Sequence, residues 1–220
     1  MYKFAELIIS MPFTIYINFR LLKFHEALRL PIYCDYRTKI RIKKSKIYLS
    51  DRAKGTTFGV KFGFGGSKGI ETHRNYIILD NSKLYLAGRA TFMRGISLKI
   101  ENSAVKIGNN FNINKNGKIF SRKEIIIGDD VMIGWDVTIL DSDGHTIMGK
   151  AHKKKIYIGD KVWIGAEVLI LKGSKIPQGS VVAARSLVNK DFTMNNSNLL
   201  LGGQPCRIIK EHVEWVDEQL

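Results

Sequence analysis

The sequence predicts an all-β solenoid, a chain wound into stacked coils with three short sides each. The first sign is a repeat of six. β-Branched aliphatics lead successive hexads at Ile107, Ile113 and Ile119, then at Ile127, Ile133 and Ile139. The series resumes at Ile158 and runs through Ile164, Ile170, Ile176, Val182 and Val188. The second sign is a restricted position two residues before the leader, held by Val131, Val137, Val162 and Val168, then by Ser174, Ser180 and Ser186. The third is a glycine after many leaders, at Gly108, Gly128, Gly134, Gly159 and Gly165.

A spacing of six does not stay on one face of a helix with 3.6 residues per turn. Flat strands alternate with a period of two, but they do not place turn-permissive residues at every sixth position. A three-sided coil satisfies both signals, with one leader pointing inward per side. Stacked coils pair as parallel strands and bury a continuous aliphatic column. β-Branched residues suit such pleated, buried positions. Glycine or asparagine suits the corners, where φ becomes positive.

The rest of the chain is assigned by its relation to this clock. Residues 41–192 form the coil, with ragged early turns in which Leu86, Phe92 and Leu98 keep the six-residue step. Residues 1–40 cap the open end of the prism, which would otherwise expose core and sheet. Within that cap, Ile15, Ile17 and Phe19 alternate with Thr14, Tyr16 and Asn18, the pattern of a half-buried strand. Residues 193–220 form a closing segment. Its end, "RIIKEHVEWVDEQL", reads as a short amphipathic helix with Ile208, Ile209, Val213 and Val216 on its apolar side.

Composition bounds the function. The 220 residues suffice for one domain with a proper core, and 45% apolar with 25% charged content is ordinary for a globular protein. The balance of 35 Lys+Arg against 20 Asp+Glu, a formal net charge of +15, points to anionic partners such as phosphorylated cofactors, acidic glycans or a membrane surface. Nucleic acid is set aside, because no basic stretch is interleaved with aromatics. Cys34 and Cys206 are too few for a disulfide framework and lack metal-ligand spacing, so a reduced, cytoplasmic protein without a metal is expected. Glu6 and Pro12 interrupt the apolar N-terminus, so neither a spanning helix nor a secretory leader is expected. Peripheral contact with the inner face of the membrane is compatible with the basic charge.

The clock stops once in its regular half. After Ile139 the next leaders fall due at 145, 151 and 157, where the chain has His145, Ala151 and Tyr157. Residues 140–157 therefore leave the prism as a loop. Regular coils could have closed without it, and a long loop inserted in a solenoid is usually functional. It carries "DSDGHTI", with Asp141, Asp143 and His145 close together. Histidine titrates near neutral pH and suits a general base. Asp141 or Asp143 could accept its other ring N–H; the sequence does not choose between them.

The hexads from about residue 105 to 191 resemble those of the hexapeptide-repeat acyltransferases, and Gly144-His145-Thr146 resembles the "G-H-P" of the galactoside, maltose and related sugar acetyltransferases. The resemblance implies a left-handed parallel β-helix, a homotrimer with sites between subunits, and acetyl-CoA as acyl donor. It makes His145 the general base that deprotonates a sugar hydroxyl, which attacks the thioester directly. It puts Trp163 beside the active site, in contact with substrate and cofactor, and the N–H of Ala166 at the thioester oxyanion, where a preorganised donor has a large effect. Asn114, in "INKNGK", falls where related enzymes touch acceptor or acyl group. "AARSLVNKD" resembles the final-coil pattern "GAGSVVTKD", so Ala184 lies by the pantetheine arm and Lys190 contacts the cofactor. Arg185 departs from a family glycine and adds a cation to that groove. "GGQPCRIIK" resembles a closing "G-N-P-C-R-V-I-R", placing Arg207 and Lys210 at the CoA phosphates.

The expected function is therefore CoA-dependent O-acetylation of a sugar or glycan in cell-surface polysaccharide biosynthesis. Transfer to the amine of an amino sugar is an alternative. A zinc enzyme like the γ-class carbonic anhydrases would need His73, His145 and His152 to converge on a metal. A non-catalytic glycan-binding scaffold would use the basic surface alone.

Overall fold

The computed structural model describes residues 2–146, 148–194 and 196–216, with side chains from Ala5 onward. Its strands form three parallel sheets, the faces of a triangular prism, visited in the order A, B, C by each coil. Coil 1 is Ile32–Cys34, Lys39–Lys43 and Lys46–Leu49. Coil 2 is Val60–Phe62, Tyr76–Asp80 and Lys83–Leu86, and coil 3 is Ala90–Phe92, Ser97–Glu101 and Ala104–Ile107. Coil 4 is Phe111–Ile113, Lys118–Ser121 and Glu124–Ile127, and coil 5 is Met132–Ile133, Thr138–Leu140 and Ile156–Ile158. Coil 6 is Trp163–Ile164, Leu169–Leu171 and Lys175–Ile176; coil 7 is Val181–Val182 and Leu187–Val188. The coil thus begins at Ile32, inside the stretch expected to be cap.

Every leader faces inward. Ile107, Ile113, Ile119, Ile127, Ile133 and Ile139 are at most 3% exposed, and those from Ile158 to Val188 are fully buried. Register stacks like on like, with Ile119 over Leu98, Ile139 over Ile119 and Ile170 over Ile139. Each such side chain contributes about 1.5–3 kcal/mol by leaving water. The serines of the late hexads are buried too, and Ser174 Oγ donates to the carbonyls of Leu171 and Val188, at 2.6 and 2.9 Å.

The corners follow the sequence expectation in part. Positive φ is taken by asparagines such as Asn102, Asn110 and Asn116 and by Gly95, Gly173 and Gly179, and also by Asp130, Asp136 and Glu167. The glycines after the leaders serve close approach instead. A Cβ on Gly165 would sit 2.7 Å from the Ala184 nitrogen, and one on Gly134 2.7 Å from the Ala166 nitrogen. Successive coils touch backbone to backbone there.

The N-terminal strand expected around Thr14–Phe19 is instead part of helix α1, Tyr2–Leu21, followed by the short α2, Phe24–Ala27. The physical reason lies at the open edge of face A. Asn18 donates to the Ile32 carbonyl at 2.6 Å and accepts from its N–H at 3.1 Å. Thr14 does the same at Cys34, both at 3.1 Å. Two polar side chains one helical turn apart thereby stand in for a neighbouring strand at that edge. The expected C-terminal helix is also replaced among the described residues. Arg207–Lys210 forms an antiparallel strand on Leu200–Gly202, closing the far end of face A. The ladder satisfies backbone groups that a helix would leave open.

Candidate functional site

The loop leaves coil 5 between Leu140 and Ile156, so it spans 141–155 rather than 140–157. Its base is a ladder. Asp143 N–H donates to the His152 carbonyl at 2.9 Å, Lys154 N–H donates to the Asp141 carbonyl at 3.1 Å, and Ser142 pairs with Lys153. Lys172, from the next coil, fastens both limbs: its Nζ lies 2.5 Å from Asp143 Oδ2 and 2.6 Å from the Ala151 carbonyl. Beyond this stem, Gly144, His145 and Thr146 are exposed, and Gly144 has φ +77°. Ile147 lies outside the described residues.

The two aspartates have other tasks than the one considered for them. Asp141 is fully buried. Its carboxylate accepts from Ser121 Oγ and from the N–H groups of Arg122, Lys123 and Glu124, at 2.7 to 3.0 Å. It ties the loop's root to the coil above. Asp143 binds Lys172. No hydrogen bond to the His145 ring is found among the described residues. Glu124 fastens the loop's other end through Lys155 and also pairs with Lys106 of coil 3, and these ammonium groups hold its carboxyl below the usual range.

The remaining candidates separate by edge. His145 and Lys190 stand at the corner between faces B and C, where the ring of Phe192 lies 5.1 Å from Lys190 Nζ. Trp163 is on face A, half exposed, with its ring 6.0 Å from that of Trp215. Arg207 and Lys210 continue face A at its end, both exposed. Asn114, Ala166, Ala184 and Arg185 occupy the corner between faces A and B. One chain therefore brings Trp163, Asn114, Ala166, Ala184, Arg185, Arg207 and Lys210 onto adjoining surfaces, whereas His145 shares its corner only with Lys190 among the candidates.

Details at that A–B corner refine several roles. The Ala166 N–H donates to nothing among the described residues. Arg185 grips Glu167 with two of its three guanidinium nitrogens, at 2.8 and 3.3 Å, which raises its already high pKa. A phosphate would have to compete with that carboxylate. Asn114 is committed to a second loop, residues 63–75. Its Oδ1 accepts from Ser67 N–H at 3.3 Å and its Nδ2 donates to Ser67 Oγ at 3.0 Å. Lys115 and Asn116 hold the same loop at the carbonyls of Ile70 and Glu71.

Sequence reading missed Lys172, Glu167 and this second loop. The glycine-rich "FGFGGSKG", where no leader recurs, was the available signal for the loop. No spacing pointed to Lys172. Beneath the His145 loop lies a polar cleft of about 390 Å³, lined by Glu101, Arg122, Gly144, His152 and Lys153 among others. His73 sits on the second loop at a different corner, and among the described residues no three His, Cys, Asp or Glu side chains gather as a metal site.

No protein-family model and no curated protein matches the chain. Solved structures do. The polySia-specific acetyltransferase NeuO aligns at 22% identity over 85% of this chain and 79% of its own, with a TM-score of 0.61. The polysialic acid O-acetyltransferase OatWY aligns at 21% identity over 85% and 87%, with a TM-score of 0.47. A hexapeptide-repeat acetyltransferase from Vibrio cholerae O1 biovar eltor, complexed with acetyl coenzyme A, aligns at 21% over 94% and 87%, with a TM-score of 0.40. The likeness to NeuO carries the fold: the three-faced coil of this chain is the left-handed parallel β-helix of the hexapeptide-repeat acetyltransferases.

Proposed function

We propose that the protein is an acetyl-CoA-dependent O-acetyltransferase acting on a sugar hydroxyl, in the assembly of cell-surface polysaccharide in the cytoplasm. The observation that carries this reading is the break in the coil. A histidine is lifted from a slot that demands an aliphatic, on a stem fastened by Asp141 and Lys172, beside a polar cleft of about 390 Å³. That volume falls within the range of small-ligand sites. The positive charge favours an acidic glycan as acceptor, and NeuO is itself described as polySia-specific.

In this reading the His145 imidazole takes the proton of the acceptor hydroxyl as its oxygen attacks the thioester carbonyl. Negative charge gathers on the carbonyl oxygen, where the Ala166 N–H can donate. The tetrahedral species collapses, the C–S bond breaks, and the CoA sulfur recovers the proton from the imidazolium. Trp163 and Ala184 line the path of the pantetheine arm, and Lys190, Arg207 and Lys210 offer cations to the phosphates.

The separation of His145 from Trp163 supports a threefold assembly, with the B–C edge of one copy facing the A–B edge of the next. A site is then complete only between two chains.

The test is incubation with labelled acetyl-CoA and fractionated cell glycans and sugar nucleotides, read by mass spectrometry. Transfer to a glycan hydroxyl is expected, and His145→Ala should lower kcat by about 10²–10⁴-fold. Undiminished transfer in that variant would remove His145 as the base. Label appearing on an amino-sugar nitrogen would redirect the acceptor.

A further inference from the structure

We propose that the outward face of α1 and α2 docks on an anionic lipid membrane. The helix is amphipathic in reverse. Its inward side carries Ser10, Thr14 and Asn18, all fully buried and bonded to coil 1 or to the turn after its first strand. Its outward side carries Ile8 at 56% exposure, Ile15 at 43%, Tyr16 at 53% and Phe19 at 41%. At 100° per residue these four lie within one stripe of the helix. The Phe19 ring meets that of Phe24 edge-on at 5.7 Å, extending the apolar surface to Phe24 and Leu28, which are 71% and 60% exposed.

Such a contiguous apolar surface marks an interaction site, and charge chooses the occupant. Arg20, Lys23 and Arg29 bracket the surface, all exposed. The nearby acids are engaged: Glu6 pairs with Arg37 and Arg94, and Glu26 with Lys54. Residues 1–50 hold ten Lys+Arg against three Asp+Glu. On the first coil, exposed Lys39, Arg41 and Lys43 form no ion pair among the described residues. A second copy seated on this surface would bring the same cations together. An anionic lipid headgroup layer offers counter-charge to the rim and an acyl boundary to the aliphatic stripe. No helix among the described residues is long and apolar enough to cross a membrane, so α1 lies along the surface. Its apolar and cationic parts are the two signals that stable surface binding needs. The inference is independent of acetyl transfer.

The experiment is sedimentation of the full chain with phosphatidylcholine vesicles, with and without about 30% phosphatidylglycerol. Bound protein should rise about tenfold with the anionic lipid and fall in about 0.5 M salt. Ile8→Glu with Phe24→Glu should abolish binding while thermal unfolding and the size measured by light scattering stay unchanged. Lys23→Glu with Arg29→Glu, which leaves the apolar stripe intact, should remove the preference for anionic lipid. The inference is overturned if wild-type protein ignores phosphatidylglycerol vesicles or if Ile8→Glu with Phe24→Glu binds as before. It is equally overturned if that variant changes the oligomeric size, because the face would then be a contact between copies.

Discussion

The coil stack and the cap that closes it use the same residue types in opposite senses. In the stack, Ile139 is fully buried and the polar residues of its coil point outward or line corners. In the cap, Asn18 and Thr14 are fully buried while Ile15 faces solvent. The difference follows from what each element must satisfy. A coil in mid-stack has its backbone bonded above and below, so its interior needs only apolar volume. The first coil has an edge with free N–H and C=O groups, and their burial beneath a cap requires polar partners.

That contrast makes measurable forecasts, beginning with the largest. Ile139→Ala should destabilise by about 2–5 kcal/mol, read from the shift in urea midpoint, because the packed column cannot collapse around the void. Asn18→Ala should cost about 1–3 kcal/mol by leaving the Ile32 N–H and C=O buried and unpaired. An unchanged urea midpoint would mean that water replaces the amide at that edge.

The cysteines extend the comparison to the two ends of the stack. Burial pushes the Cys34 thiol up to about 12 and the Cys206 thiol to about 11, so neither is a thiolate near neutral pH. The native protein should resist alkylation at both. Asn18→Ala should speed labelling of Cys34 about tenfold and leave Cys206 unaffected, since only the first lies under the cap. Equal acceleration at both would show that the cap does not open by itself. The smallest effect belongs to Ile15→Ala, which should move stability by no more than about 0.5 kcal/mol in water, despite removing an isoleucine.

The same contrast explains what could be read from sequence. Hexad leaders were legible because one side of one coil is one repeat and each inward slot sees the same surroundings. The glycines after them were visible, yet their purpose was not, since close approach between coils depends on residues some twenty or thirty positions away in the chain. Gly128, for instance, packs against Asp160. The cap was misread because Ile15, Ile17 and Phe19 imitate strand alternation, while only Ile17 of the three is buried. The helix is explained by Ile32 and Cys34, which its own residues do not reveal. At the C-terminus, Ile208 packs on the core, but Ile209 and Val216 are 60% and 80% exposed, so the helical spacing described no real buried face.

At the candidate site, the departure of the loop was legible from the leaders that fail at His145 and Ala151. Its internal wiring was not. Asp141 reads as a loop acid, but its environment comes from the turn at Arg122–Glu124 in the coil before. Lys172 reads as one lysine among many. Its task appears only when the next coil stacks beneath the loop.

The division of candidate residues between two edges of the prism also bears on genetics. On the proposed threefold assembly, a chain with His145→Ala still offers an intact groove, and a chain with Arg207→Glu still offers an intact base. Coexpressed in equal amounts, two inactive proteins would assemble at random, and about a quarter of all interfaces would combine both sound halves. A gene product dead in either form would regain part of its activity by trading edges with its neighbour.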